Sequence, residues 1–272
     1  MKWQDLLGVF SIRWQRPLKP GTLAGCYIVK TTLGMGSYGI TYLAQDRETN
    51  QTVVLKQMRK RKNRSDLQSF QKEKEILKTL NHPDIPSFYE EFAIDHEQFL
   101  VMEYKKGETF EQLIFQHGKK FAEGDAFYYL KHILEIVRYI HNQKIVHRDL
   151  RIPNILLHDD RISIIDFGLA RFVSDEQEEN FDQWEPEKQR MREIRYETDF
   201  YALGHFLLFL LYSSFEPMDK KERSWEEELT ISSEGKRIIK KLFRMEGRYQ
   251  SAEEILNDIE RLPIWRKKNG VV

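Results

Sequence analysis

Cysteine is almost missing from this chain: Cys26 is the one thiol among 272 residues. That excludes an intrachain disulfide framework and a multi-cysteine zinc site, and it fits a reducing compartment, so a cytoplasmic location is expected. Net charge is missing too, with 43 Lys+Arg against 43 Asp+Glu. A nucleic-acid binder working through overall basicity is thereby excluded, and no nucleic-acid partner is expected. The longest apolar run, FYALGHFLLFLLYSSF at 200–215, is about 16 residues against the ~20 a bilayer span needs, and it carries Gly204 and His205. It reads as a buried core helix. The opening MKWQDLLGVFSIRW is broken by Asp5 and Arg13 and lacks a small-residue cleavage site, so it is not read as a secretory signal. Internal repeats and low-complexity tracts are also lacking.

What is present is a chain rich enough in large side chains to fold: 40% apolar and 12% aromatic residues, with 32% charged. Residues 1–26 read as a leader. Trp3, Leu7, Phe10 and Trp14 share one face of a helix that Pro17 and Pro20 would end. Docking on the following domain is preferred over membrane contact through residues 1–20, which the surplus of Lys2, Arg13, Arg16 and Lys19 over Asp5 keeps as the alternative.

From Tyr27 the pattern turns to strands: YIVKTTL, ITYLAQD and TVVLKQM, with Glu48-Thr49-Asn50 as a hairpin turn. A helix over about 65–80 is expected, N-capped by Ser65, with Phe70, Ile76, Leu77 and Leu80 as contacts and His82-Pro83 as its stop. PSFYEEFAI and QFLVMEY supply two more strands. After Gly107 the chain is mainly helical, with helices expected at 125–144, 199–215, 234–244 and 252–261 and short strands at IVH, NILLH and ISIID. The division is therefore 27–104 as a small β-rich lobe, 105–265 as a larger helical lobe and 266–272 as a basic tail.

Gly34, Gly36 and Gly39 make a G-x-G-x-x-G pattern that lies between two strands, where a dinucleotide fold would want a strand and a helix. Glycines there let a hairpin lie close over phosphates with its N–H groups toward the oxygens. Downstream, Lys56 stands in an otherwise apolar strand and needs a partner. Glu73 is the candidate. Glu75 is the runner-up, about 200° round the helix from Glu73. The most informative segment is His147-Arg148-Asp149-Leu150-Arg151-Ile152-Pro153-Asn154, followed by Asp166-Phe167-Gly168.

With glycine loop, V-V-L-K, H-R-D-x-x-x-x-N, D-F-G and a degraded A-P-E in order, the chain from about 27 to 264 resembles the eukaryotic-like (Hanks-type) protein kinases. It looks like their small, soluble bacterial members. The resemblance implies an α+β bilobal fold and transfer of the γ-phosphate of ATP, with Mg²⁺ (or Mn²⁺), to Ser/Thr hydroxyls of a protein substrate, with autophosphorylation as an option. By position, Lys56 would hold the α/β-phosphates, steadied by Glu73. Asp166 and Asn154 would bind the metal ions, and Asp149 would orient the acceptor hydroxyl and take its proton. Thr41, Val54 and Leu156 would border adenine, with the hinge at Glu103-Tyr104-Lys105 and Met102 at its inner edge. Leu77, Phe88, His147 and Phe167 would form an aligning column anchored by Asp199, and Glu187 would pair with Arg248.

Three departures from the family pattern stand out. Arg151 takes the place of the usual lysine that touches the transferring phosphate, exchanging a point donor for a planar fork. The A-P-E position reads Glu185-Pro186-Glu187, with no threonine before it to cradle the acceptor. The stretch 168–185 has Ser174 as its one hydroxyl apart from none on tyrosine, yet carries Asp175, Glu176, Glu178, Glu179 and Asp182. These carboxylates are expected to replace the loop phosphate that engages the arginine before the catalytic aspartate, here Arg148, with the basic run Arg59-Lys60-Arg61-Lys62-Asn63-Arg64 as further partners. Two other classes are weighed against a protein kinase. A nucleotide-binding pseudokinase would usually lose one of Lys56, Asp149, Asn154 and Asp166. A small-molecule kinase for an aminoglycoside, sugar or choline is the other.

Overall fold

The computed structural model describes residues 16–36, 39–58, 64–176, 184–217, 221 and 223–263. The leader helix expected within 1–15, most of the basic run, Glu178, Glu179, Asp182 and the tail lie outside the described residues. Contacts divide the chain into two units, 1–67 with 89–102 and 68–88 with 103–272.

The first unit is built on a six-stranded sheet. Its strands are β1 (Leu23–Ala24), β2 (Tyr27–Met35), β3 (Gly39–Asp46), β4 (Thr52–Met58), β5 (Phe88–Ile94) and β6 (Glu97–Glu103), ordered β1-β2-β3-β4-β6-β5. Alternation decides its faces. Val29, Ile40, Tyr42, Ala44, Val53, Leu55, Phe99 and Val101 bury on one side as the core. Turn chemistry fixes the register: Asp46 Oδ1 accepts the N–H of Glu48 at 2.8 Å and of Thr49 at 3.2 Å, and Asn50 takes φ 59°. Between β5 and β6, Asp95 and His96 both adopt positive φ (47° and 67°), as a two-residue hairpin loop requires. The sheet also takes in residues expected to belong to the leader. Leu23 pairs with Ile28 and Ala24 with Tyr27, and the Leu18 N–H donates to the hydroxyl of fully buried Tyr42 at 3.1 Å.

The second unit carries the helices. α1 (Arg64–Thr79) begins one residue before Ser65, so Ser65 lies inside the helix and is not its cap. Then come β7 (Glu108–Thr109), α2 (Phe110–Phe115), α3 (Glu123–Asn142), β8 (Ile145–Val146), a short 3₁₀ turn at Ile152–Asn154, β9 (Ile155–His158), β10 (Arg161–Ile164) and β11 (Arg171–Phe172). α4 (Pro186–Arg190), α5 (Tyr196–Tyr212), α6 (Trp225–Glu228), α7 (Ser233–Leu242) and α8 (Ala252–Glu260) complete it. The apolar run at 200–215 is a core helix: Thr198 to Gly204, Phe206, Leu207, Leu210 and Leu211 of α5 are buried, and the helix packs on α3 and α7. Among the described residues no helix is long and apolar enough to cross a membrane.

Contacts group 68–88 with the helical unit. The reason is polar. Arg171 reaches Ser69, the Asn81 N–H donates to Tyr139 Oη at 2.7 Å, and the Ile164 N–H donates to the Asp84 carbonyl at 3.0 Å. The backbone groups of this stretch are thus satisfied by the helical unit's own chain.

Candidate active site

In the β-rich unit, antiparallel register lines up the expected nucleotide-binding residues. Gly34 pairs with Thr41 and Thr41 with Lys56, a row across β2, β3 and β4. Leu43 pairs with Val54 two positions along the same face. This is the face opposite the core, because Ile40, Tyr42, Val53 and Leu55 alternate with it. By the same alternation Met102 shares it, since Phe99 and Val101 belong to the core side. Lys56 is 6% exposed although it lies on that face.

The glycines have different reasons to be glycine. A Cβ at Gly39 would clash with the Gln57 carbonyl, so close approach of β4 demands the missing side chain. A Cβ at Gly34 or Gly36 would meet nothing within 4 Å. Their surroundings are open, and the Gly36 N–H donates back to the Gly39 carbonyl at 3.0 Å.

In the helical unit the chemistry gathers after β8. Asp199, fully buried in the first turn of α5, accepts the backbone N–H of His147 at 2.9 Å and of Arg148 at 2.7 Å, and lies 2.8 Å from His141 Nε2. These bonds hold Arg148 at φ 64°, an uncommon conformation for a residue with a Cβ, and so set the direction of the loop at Asp149. Asn154 Nδ2 donates to Asp149 Oδ2 at 2.7 Å and to its carbonyl at 3.0 Å. The Arg151 fork closes on the same carboxylate, Nε to Oδ1 at 2.6 Å and Nη2 to Oδ2 at 3.1 Å.

Burial opposes the Arg151 charge. Asp149 foremost, then Asp166 and Glu111, outweigh it and hold the guanidinium pKa above its ordinary value. Over half of the Arg151 side chain is nevertheless exposed (56%), so this fork can open to solvent. Asp166 also takes a positive φ, 61°, and its Oδ1 accepts the Gly168 N–H at 3.2 Å. His147 and Phe167 meet edge to face at 4.6 Å. Complete burial keeps His147 below its usual pKa against the pull of Asp199, Asp149 and Asp166. Its Nδ1 accepts the Asp149 N–H at 3.3 Å, as a neutral ring would.

The other expected site residues of this unit lie on their own elements. Leu156 sits in β9 opposite Ser163 of β10 and Thr109 of β7. Glu103 and Lys105 are tied by side chain to the α1–β5 connection. Glu103 accepts Lys105 Nζ at 2.7 Å and the Ser87 N–H at 3.2 Å, while Lys105 also donates to the Pro83 carbonyl at 2.8 Å. A Cβ at Gly107 would stand 2.8 Å from the Leu157 carbonyl, and φ there is 133°, so glycine is required where this connection meets β9. Glu73 is on α1 and 2% exposed. Glu75, its runner-up, is exposed and pairs with Lys72 at 3.1 Å.

The expected Glu187–Arg248 pair is not formed. Glu187 stands 3.6 Å from His205 Nε2, and Arg248 is exposed. The glutamate–arginine pair in this region joins Glu193 to Arg244 at 3.3 Å, Arg244 being turned by a φ of 59°. The Arg148 guanidinium donates to the carbonyls of Leu169 (3.4 Å) and Arg192, and Glu178, Glu179 and Asp182, expected to engage it, lie outside the described residues. Asp175 instead pairs with Lys72 of α1 at 3.1 Å. Residues that composition alone did not single out are therefore His141, Ser69, Lys72 and Arg171. Only the position of Lys72 beside Glu73 gave any signal.

A match to the protein kinase domain covers residues 27–259. This chain belongs to the protein kinase family. Probable serine/threonine-protein kinase YbdM of Bacillus subtilis is 39% identical over 254 residues, 92% of this chain and 95% of that protein. Serine/threonine-protein kinase B of Synechocystis is 30% identical over 270 residues, 88% of this chain and 47% of that protein. NUAK family SNF1-like kinase 1 of Homo sapiens is 34% identical over 210 residues, 72% of this chain and 31% of that protein. The chain thus spans under half of the latter two kinases and nearly all of the first. The family places it among the serine/threonine protein kinases.

Proposed function

We propose that this kinase transfers the γ-phosphoryl group of ATP to serine or threonine hydroxyls of a cytoplasmic protein substrate, with Mg²⁺ as the metal and Mn²⁺ as a substitute. The observation that carries this is the carboxylate of Asp149, oriented by Asn154 and Arg151 on a loop whose backbone Asp199 holds. A carboxylate so fixed is suited to align an incoming hydroxyl and accept its proton.

The residues fit the nucleotide and the metal. Asn154 spends its amide nitrogen on Asp149, which leaves its carbonyl oxygen as a hard donor, and Asp166 adds a carboxylate. Mg²⁺ held by Asn154 and Asp166 would neutralise charge that develops on the phosphates. On the sheet, the open space at Gly34 and Gly36 would let phosphates approach the hairpin closely, and Lys56 in the same row as Gly34 adds a point charge. Lys56 and Glu73 are the proposed phosphate-binding lysine and its supporting carboxylate, with Thr41, Val54 and Met102 as adenine contacts of the first unit and Leu156, Glu103 and Lys105 as those of the second. Arg151 neutralises Asp149 until the acceptor enters and can then turn toward the transferring phosphoryl, a motion its exposure allows.

The test is incubation with γ-labelled ATP, Mg²⁺ and casein, followed by phosphoamino-acid analysis. Label on serine and threonine, absent with Asp149→Asn, is expected. Label on tyrosine alone, or on an added aminoglycoside or sugar and no protein, would overturn the proposal.

A further inference from the structure

α1 carries Glu73, and a helix that presents one side chain to a site must be fixed in rotation about its axis as well as along it. Two polar contacts from the segment just after Asp166-Phe167-Gly168 meet α1 three residues apart, on consecutive turns. Buried Arg171 reaches Ser69 Oγ with Nη2 at 3.1 Å, its Nη1 held by the Ala170 carbonyl at 2.8 Å. Asp175 Oδ1 takes Lys72 Nζ at 3.1 Å, with the two side chains 21% and 27% exposed.

Asp175 is itself preset. Its Oδ2 accepts the Phe172 N–H at 2.9 Å and its own N–H donates to the Phe172 carbonyl at 3.0 Å, so the carboxylate is locked over a one-turn loop before it meets the lysine. Lys72 Nζ also stands 5.3 Å from the Phe172 ring centroid. Burial acts to lower the Lys72 pKa, but the bonds to Asp175 and then Glu75 outweigh it and raise it. Glu75 is the weaker partner, because at 55% exposure it is screened by water.

We propose that Asp175 and Lys72 are a positioning pair which, with Arg171–Ser69, fixes the rotation of α1 and thereby the aim of Glu73. The carboxylate is part of the chain, so this contact between the segment and the helix needs no phosphate on Ser174. The proposal rests on the role given to Glu73 under the proposed function. It concerns Asp175 alone of the acidic stretch, since Glu178, Glu179 and Asp182 lie outside the described residues.

The test uses the full chain and four variants: Lys72→Met, Asp175→Asn, the exchange Lys72→Asp with Asp175→Lys, and Glu75→Gln as the exposed comparison. Turnover of casein with Mg-ATP and hydrogen–deuterium exchange of the α1 amides at 68–79 are both measured. Each of the first two variants should lower kcat by about tenfold with the KM for casein unchanged. Each should also speed α1 exchange several-fold, and combining the two should cost no more than one alone. The charge exchange should recover kcat to within about threefold of the parent, and Glu75→Gln should stay within twofold. Ser174→Ala should leave kcat and α1 exchange as they are. Single variants with parental α1 exchange, additive losses, or a charge exchange that recovers nothing would overturn the pair. A parent without kinase activity would instead overturn the proposed function, and the α1 exchange rates would still decide on the pair.

Discussion

The backbone N–H of Arg148 donates to Asp199 Oδ1 at 2.7 Å, across 51 residues of chain, and this bond turns the loop that presents Asp149. Asp199 accepts two backbone donors and faces His141 with no exposed surface, so its removal strands several buried donors at once. Each orphaned donor costs about 1–3 kcal/mol. Asp199→Ala should therefore lower unfolding free energy by roughly 3–5 kcal/mol, and Asp199→Asn, which keeps one acceptor oxygen, by about half of that. Urea denaturation measures both. Equal losses would mean that charge, and not acceptor geometry, holds the loop.

Arg151 grips both oxygens of Asp149, and a lysine could occupy only one. Arg151→Ala should reduce kcat by about 10–100-fold and Arg151→Lys by less, with thermal stability changed little because the side chain is over half exposed. Steady-state kinetics beside a melting curve separates these effects. A fall in melting temperature equal to that of Asp199→Ala would make Arg151 a structural residue.

The glycines of the first hairpin should respond in opposite ways. Gly39→Ala puts a Cβ against the Gln57 carbonyl and should destabilise the sheet by about 1–3 kcal/mol. Gly34→Ala enters open space, so the fold should hold while ATP affinity weakens. Calorimetric titration with Mg-ATP, run with melting curves on both variants, checks the pair of outcomes.

Much of this was legible along the chain. Alternation between Ile40, Tyr42 and Ala44 and their outward neighbours announced the sheet, and the spacing of Asp149 and Asn154 pointed to the two residues that the loop brings into contact. Partner choice was not legible. With 43 basic and 43 acidic residues, charge alone does not choose between Glu187 and Glu193 as the partner of an arginine, and the turn at Arg244, which pairs with Glu193, is a backbone event. The same holds for Asp175. Its proximity to Lys72 depends on how the segment after Gly168 returns along α1, which no local pattern encodes. Ser65 shows a smaller limit, that of helix ends being set to within a residue or two.

His205 gives a pH signature. It lies half-buried between Tyr201 and Phe243, with ring centroids at 5.0 and 4.8 Å, and desolvation there lowers its pKa to about 4. The Glu187 carboxylate, 3.6 Å away and 41% exposed, is too distant to bond and does not offset this. The unfolded chain binds the proton near the ordinary value of about 6.5. Stability is therefore full above that pH and is lost as pH falls from about 6.5 toward 4, by on the order of 2–3 kcal/mol. Urea titrations from pH 7 to 4 should show this slope in the parent, and His205→Gln should flatten it. An unchanged slope would assign the loss to other groups.

The central claim is that Asp149 acts on the acceptor hydroxyl while the nucleotide is held elsewhere. Single-turnover transfer from γ-labelled ATP to casein, with Mg-ATP affinity measured on the same samples, tests it most directly. Asp149→Asn keeps the shape and the partners of the carboxylate but cannot take a proton. It should bind Mg-ATP within about threefold of the parent and transfer label at least ~100-fold more slowly. Transfer at the parental rate with Asn at 149, or loss of transfer explained wholly by lost nucleotide binding, would contradict the account.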